Sequence, residues 1–589
     1  MADGKRDSLI MKVTVLPGEN SVLLTVKRVS HKEKDLRGGG LKENDRLRFL
    51  AGVDLEDRNY HGETKASRGP ENFFPGKVSC FDREGGGSVL IFRAAEDRIL
   101  DVRSSSGTFL REDRWTYNVF QEDEAARGLP DTTDLYSPGA FRFSLVCGES
   151  ISFLVREGSG EFTQENFPAI PENAFDAAQW SIGEILEDSL AQFVVKREEN
   201  KSVIAGYPWF LDWGRDTLIV ARGLLASGRF KEDVRSILLE FASYAEHGTI
   251  PNMICGGNAE NRDTADAPLW LFVLCADLCR KEKSFAFLDT LLPRTGLTVR
   301  ETLLQMAESL LQGTPNNIKA DPESLLLYSP AHFTWMDTNY PAGTPREGYP
   351  VEIQALWFAA LTFLAKFTGE ERWKSHAEKV RASFLRYFPL AGKGYLSDCL
   401  HAPAGVPASG AVPDDHLRCN QLYAITLGIL SGKEQRPLAE SVLRSTASLL
   451  VPGGMRSLSD RETEYLLPVY GNNGNSLNDP ARPYRGHYEG DEDTSRKVAY
   501  HNGTAWTLPF PLYSEACFLL YGKDALAEAQ AVLGSSGYLF SHGVCVGQLP
   551  EIMDGDYPHT PRGCQAQAWG ISELFRVWRL LEEAKRSSR

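Results

Sequence analysis

Residues 351–364 read VEIQALWFAALTFL. The run is apolar on nearly every side, so a helix built from it has no face to give to water and belongs inside a larger assembly. APLWLFVLCADL at residues 267–278 has the same character. Between and around such runs lie helices with one apolar stripe. Helices are expected over 173–197, 214–227, 229–247, 264–281, 296–312, 348–368, 370–387, 418–432, 436–450, 503–521, 523–534 and 565–585. They form six pairs whose connections alternate between short and long, and the long ones are loaded with polar and aromatic residues. Two concentric rings of helices produce this pattern, with the long loops gathered at one end and leading into the inner ring. The expected fold is therefore mainly α, an (α/α)6 toroid over residues 173–589. A stacked helical solenoid is the structural alternative, but no fixed period is visible.

Residues 1–165 have a different texture. LIMKVTVL, SVLLTVKRV, GSVLIFRAA, FRFSLVC and SISFLVREG are short, rich in β-branched and aromatic residues, and bounded by Gly, Asp, Asn and Pro. An antiparallel β-sandwich is expected there, with loops over the charged, glycine-rich region 33–70.

The 589 residues carry a formal charge of −15, which argues against a phosphate-binding surface as the main function, so no nucleic-acid partner is expected. No uninterrupted apolar run approaches the ~20 residues needed to span a bilayer, and no membrane partner is expected. The start of the chain, MADGKRDSLIMKVTVLPGEN, lacks an apolar core followed by a small-residue cleavage site. A cytoplasmic protein is expected. Among the ten cysteines, Cys275 and Cys279 sit in helical context with no histidine pair nearby, which reads as buried reduced thiols rather than metal ligands or disulfides.

The long loops hold the chemistry. Each carries carboxylates or amides, and most carry tryptophan or tyrosine. Aromatic faces cover the C–H face of a pyranose while Asp, Asn and Arg satisfy its hydroxyls. No zinc-ligand spacing, phosphate-binding glycine loop or Gly-x-Ser-x-Gly occurs, so no metal and no cofactor are expected. Glycoside hydrolysis needs two carboxyls, one protonated and one ionised. Asp337 in FTWMDT and Glu551 in PEIMDGD are the strongest candidates, each beside apolar neighbours able to shift its pKa. On residues alone, either could instead be a loop carboxylate capping backbone.

PWFLDWGRDTLI, TADAPLW, FTWMDT, PREGYPVEIQALW, HNGTAW, PEIMDGD and GCQAQAWGISELFR fall in this order across residues 200–580. Together they resemble the C-terminal, amylo-α-1,6-glucosidase part of the glycogen debranching enzyme family. The resemblance implies an (α/α)6 barrel, Asp337 as general acid, Glu551 as general base and inversion at the anomeric carbon. A water must then fit between base and sugar, which sets the carboxyls ~6.5–9.5 Å apart. By the same resemblance Arg215 and Asp216 hydrogen-bond the terminal glucose, and Trp209 and Trp213 line its subsite. Asp266, Trp335, Arg346, Glu352, His501, Asn502 and Trp506 rank behind them as substrate contacts.

Several of these have plainer readings. Asp266 could cap its own helix, Glu352 could pair with Arg346, and His501 could tie down its loop. Trp270 and Trp357 read as core, and Asp491, Glu492 and Asp493 as a solvated loop face rather than a cation site. The additional transferase barrel of animal and fungal debranching enzymes has no counterpart in these residues.

The implied activity is release of α-1,6-linked glucose stubs from glycogen or limit dextrin, with a branched α-glucan as partner. The alternatives are a glucoamylase-like α-1,4-glucosidase, a trehalase-like hydrolase, or a glycan-binding barrel without activity.

Overall fold

A computed structural model describes residues 7–16, 18–30, 44–58, 62–126, 129–158, 167, 181–197, 199–255, 258–338, 343–543 and 545–587. The chain divides into two compact units, Met1–Ala174 and Phe175–Arg589.

The first unit contains two antiparallel sheets. Its strands are β1 (Asp7–Val15), β2 (Ser21–Ser30), β3 (Leu47–Leu55), β4 (Val78–Asp82), β5 (Ser88–Arg93), β6 (Ile99–Ser104), β7 (Thr108–Phe120), β8 (Thr132–Leu145) and β9 (Ser150–Glu157). One sheet has the order β1-β2-β9-β6-β5-β4 and the other β3-β8-β7. Alternation along the strands supplies each sheet with an apolar inner face, and the two faces share one core. Phe153 of β9 meets Phe141 and Phe143 of β8 with ring centroids 5.4 and 5.8 Å apart. A short helix, Arg68–Gly76, adds Phe74 to this core. The expectation of loops over 33–70 is corrected in part. Residues 47–55 form β3, because LRFLAGVDL alternates and pairs with β8 over most of its length. Residues 33–43 and 59–61 of that region lie outside the described residues.

The second unit is helical. Its main helices are α1 (Ile182–Ala191), α2 (Gly214–Ser227), α3 (Lys231–Ser243), α4 (Ala267–Glu282), α5 (Val299–Gln312), α6 (Val351–Thr368), α7 (Glu371–Tyr387), α8 (Tyr423–Thr426), α9 (Arg436–Thr446), α10 (Phe510–Tyr521), α11 (Leu526–Gly534) and α12 (Ala568–Arg586). The even-numbered helices pack in a closed cycle, α2 on α4, α4 on α6, α6 on α8, α8 on α10, α10 on α12 and α12 back on α2. Odd-numbered helices back them from outside: α3 covers α2 and α4, α7 covers α6, and α11 covers α10 and α12. Composition follows position. In α2 every residue from Gly214 to Leu225 is buried, and α6 is long and apolar enough to cross a membrane by composition yet is mostly buried. The outer helices α1 and α5 begin with capping boxes, Ser181 with Glu184 and Thr298 with Glu301.

Gly223 is where α2 and α12 touch. A β-carbon there would lie 2.3 Å from Ser572 Oγ, so only glycine lets the ring close at this point. Ser572 Oγ in turn donates to the Val220 carbonyl at 2.9 Å, across 352 residues of sequence.

Helix boundaries depart from the sequence reading in three places. Of the helix expected at 173–197, residues 173–180 lie outside the described residues and the rest ends at Ala191. The helix expected over 418–432 is a 3-10 turn, Cys419–Leu422, followed by the single turn α8. Beyond Thr426 the chain folds back, with Leu430 N donating to the Ala424 carbonyl at 2.8 Å. The helix expected from 503 begins at Phe510, because Ala505–Trp506 is a strand and Pro509 and Pro511 mark the true start.

Short strands knit together the loops that precede the even helices. Gly206–Tyr207 pairs with Ala566–Gln567, joining the first loop to the last. Ala505–Trp506 lies between Gly454–Arg456 and Ile552–Met553 in a five-stranded sheet.

Candidate active site

The polar residues of those loops converge. Arg215, in the first turn of α2, is fully buried. Its Nε donates to Asp266 Oδ2 at 2.7 Å, its Nη1 to Asp337 Oδ2 at 3.2 Å and its Nη2 to the Thr334 carbonyl at 3.1 Å. Burial works to lower the pKa of this guanidinium, but Asp266 and Asp337 outweigh it and hold it above its ordinary value. Asp266 stands at the N-cap of α4 but makes no cap bond; its Oδ1 accepts from Thr264 Oγ1 at 2.7 Å. Its side chain braces Arg215.

Asp337 is the member of this group that stays open, with 34% of its side chain exposed. Desolvation pushes its carboxyl pKa up, Arg215 pulls it down, and Asp266 adds to the rise; the net direction is upward. Asp216, the next residue of α2, is buried and raised to about 8 by desolvation, with Asp337, Glu551 and Asp266 adding to the rise against Arg215. Asp216 thus feels the charge of both candidate catalytic carboxyls, Asp337 and Glu551.

Glu551 is buried just ahead of the strand Ile552–Met553. The Tyr500 hydroxyl donates to its Oε1, and the Cys564 backbone N–H donates to its Oε2 at 2.8 Å. Both oxygens therefore act as acceptors, the arrangement a carboxylate offers. Burial, with Glu551 beside it, holds the Tyr500 phenol well above its ordinary pKa, so it remains a donor. Gly563 (φ +66°) makes room for the carboxylate: a β-carbon there would sit 2.3 Å from Glu551 Oε2.

An aromatic cluster stands beside both carboxyls. Trp335 meets Trp506, His501 and Trp569 edge-on at 5.1, 5.6 and 6.5 Å, and His501 stacks on Trp506 at 5.0 Å. Burial, reinforced by Arg418 and Arg346, holds the His501 imidazole well below its usual pKa, so it is neutral. Its Nδ1 shares a hydrogen with Thr338 Oγ1 at 2.7 Å. Among the described residues, His501 Nε2 and Trp569 Nε1 are buried with no hydrogen-bond partner. Trp209 and Trp213 are half-buried.

Three residues ranked as substrate contacts are engaged elsewhere. Arg346 spends all five N–H donors inside the protein, on both oxygens of Glu352, on Asp398 Oδ2 and its carbonyl, and on Thr334 Oγ1. Glu352 is thus the ion-pair partner of Arg346. Asn502 accepts from Arg418 Nη2 at 2.7 Å and donates to the Val498 carbonyl at 3.1 Å. All three are buried and tie the loops together. Trp506, fully buried, donates Nε1 to the Tyr500 carbonyl at 2.9 Å. Asp212 pairs with Arg197 at 2.5 Å.

The sequence reading missed the residues that fix this geometry. Asp398 accepts from Arg346 and from Asn420 Nδ2, and Asn420 Oδ1 accepts from Trp335 Nε1 at 2.8 Å. That chain sets Trp335, and with it Asp337. Tyr500 and Trp569 flank or lie within quoted motifs and could have been singled out there. Asp398, Arg418 and Asn420 carry no local sequence signal of their partners.

Residues 188–481 and 474–576 match the family described as amylo-alpha-1,6-glucosidase, and residues 8–152 match the glycogen debranching enzyme N-terminal family. A bacterial glucoamylase complexed with acarbose superposes with a TM-score of 0.54 at 13% identity, over 98% of this chain and 82% of that one. The fold is glucoamylase-like. A structure described as a wild-type glycosidase gives a TM-score of 0.45 at 12% identity, over 68% of this chain and 97% of its own. The glycogen debranching enzyme of Saccharomyces cerevisiae is 25% identical over 392 residues, 53% of this chain and 25% of the yeast protein. This chain therefore matches only a quarter of that relative's length. It belongs to the amylo-alpha-1,6-glucosidase family.

Proposed function

We propose that this chain is an inverting glycoside hydrolase that removes α-1,6-linked glucose from branched α-glucans, with its site at one end of an (α/α)6 toroid. The observation that carries the reading is the contrast between two carboxyls beside one buried aspartate. Asp337 is partly open with its pKa raised, suited to deliver a proton. Glu551 is buried with both oxygens accepting, suited to receive one. In this scheme Asp337 protonates the glycosidic oxygen as the C1–O bond breaks. Water attacks C1 from the opposite face and passes a proton to Glu551, giving β-glucose and a glucan shortened by one residue. Asp216, His501 Nε2 and Trp569 Nε1 supply buried polar positions for the hydroxyls of that glucose. The closed cycle of even-numbered helices, backed by odd-numbered ones, supports the toroid.

The test is anomer-resolved NMR on a singly branched maltooligosaccharide, with maltose and trehalose as competitors for the assignment of the bond. Initial β-glucose from the branched substrate, lost in Asp337→Asn and Glu551→Gln, is expected. Initial α-glucose, or full activity in either variant, would overturn the scheme. Preference for maltose or trehalose would keep the carboxyls and change the substrate.

A further inference from the structure

One cavity of the second unit lies away from this chemistry. It encloses about 1000 Å³, and none of the candidate site residues lines it. Its walls come from the C-terminal turns of α2, α4, α6 and α10, the end of α8 and the second half of α12. It is therefore at the end of the ring opposite the loops that carry Asp337 and Glu551.

Its charge is reversed relative to the chain. Seven basic side chains line it against three acidic ones, in a protein whose formal charge is −15. Two of the cations are neutralised on its floor. Arg222 pairs with Asp277 at 2.9 Å, Arg576 pairs with Glu515 at 2.6 Å, and both reach Glu573. The remainder stand above that floor. Arg280 shares Asp277 and Arg579 meets Glu583 at 3.5 Å, while among the described residues Lys281, Lys283 and Lys366 form no ion pair.

Cations in the last turn of a helix offset the partial negative charge of its carbonyl end, and this accounts for Arg280 and Lys281 on α4 and Lys366 on α6. It does not account for Arg579, which stands well before the end of α12 and whose buried Nε has no hydrogen-bond partner. Nor does it account for the second half of the lining. Phe285, Phe363, Leu519 and Leu580 form an apolar wall, and Thr362 and Thr426 add hydroxyls. An apolar wall, a few polar groups and a surplus of cations in a concave space of this size make a site for a small organic anion.

We propose that this cavity binds a phosphomonoester with a ring-shaped body, of hexose phosphate or nucleoside monophosphate size, with the phosphate held by Lys281, Lys366 and Arg579 and the body against Phe285 and Phe363. The site is independent of the hydrolytic reading.

Calorimetric titration of the full chain with glucose 6-phosphate and with AMP tests it, using glucose, adenosine and inorganic phosphate as controls. Saturable binding of one ester is expected, weakened at least about tenfold in a Lys281→Glu/Lys366→Glu double variant and weakened again between about 50 and 500 mM salt. Which ester binds identifies the body. Binding of an ester at the hydrolytic site instead would survive the double variant unchanged, and that result overturns the proposal. So does the absence of saturable binding up to about 10 mM, or equal binding of inorganic phosphate and the esters. Thermal melting of the double variant without ligand guards against loss of fold as the cause.

Discussion

Arg215 and Arg346 are nearly the same object in two settings. Each is buried, each reaches Thr334, and each is flanked by two carboxylates, Asp266 and Asp337 for one, Glu352 and Asp398 for the other. Around Arg346 both carboxylates are closed off at 2% exposure, and every donor is used. Around Arg215 one carboxylate, Asp337, keeps a third of its surface. A buried pair with nothing left over can only hold loops in place. A buried pair with one open member holds that member at a fixed position and a shifted pKa, which is the requirement for a positioned acid.

The sharpest way to break this contrast is to remove the open group and its counterpart. Asp337→Asn and Glu551→Gln should each lower kcat by about 10²–10⁴-fold while leaving the thermal midpoint close to wild type. A loss of stability rather than rate would assign Asp337 to the scaffold. The second test attacks the closed network. Glu352→Ala strands a buried guanidinium and should cost about 3–5 kcal/mol in denaturant unfolding, with kcat retained per folded molecule. A raised KM with unchanged stability would mean that Glu352 meets substrate after all.

A smaller effect is expected at Gly563. Alanine there must displace Glu551 or distort a left-handed backbone, and a drop of about tenfold in kcat with only a slight fall in the thermal midpoint would locate the damage at Glu551. The gentlest test uses pH. Asp216 titrates at about 8 in the fold against 3.8 ordinarily, so between those values the folded state holds the extra proton. Stability of the unliganded protein should therefore fall as pH rises through that window, by at most about 1.4 kcal/mol per pH unit, and level off above it. Asp216→Asn should flatten that slope. An unchanged slope would place the proton elsewhere.

Much of the fold could be read ahead of the structure because helical periodicity is local. GRDTLIVARGLLAS gave the bounds of α2, and the contrast between VEIQALWFAALTFL and its amphipathic neighbour separated inner from outer helices. Where the reading failed, the deciding contact was distant. Residues 427–432 look helical by composition but fold back on Ala424, and Ala505–Trp506 is drawn into a strand by Met455 and Ile552. The site divides in the same way. Asp337 and Glu551 stood out by their loop positions and neighbours. That Arg346 and Asn502 would be consumed by Glu352, Asp398 and Arg418 depends on side chains brought together only by the closed ring.

Closure of that ring through Ser572 and Val220 also sets an order of events during synthesis. A ribosome adding ~5–20 residues per second releases α2, with Arg215, tens of seconds before α12 can dock on it across those 352 residues. For most of that interval the nascent chain holds Arg215 without Glu551 or the last wall of the ring. The candidate site cannot be complete in a half-made molecule, and the polar residues of α2 stay without their final enclosure until the last helix arrives.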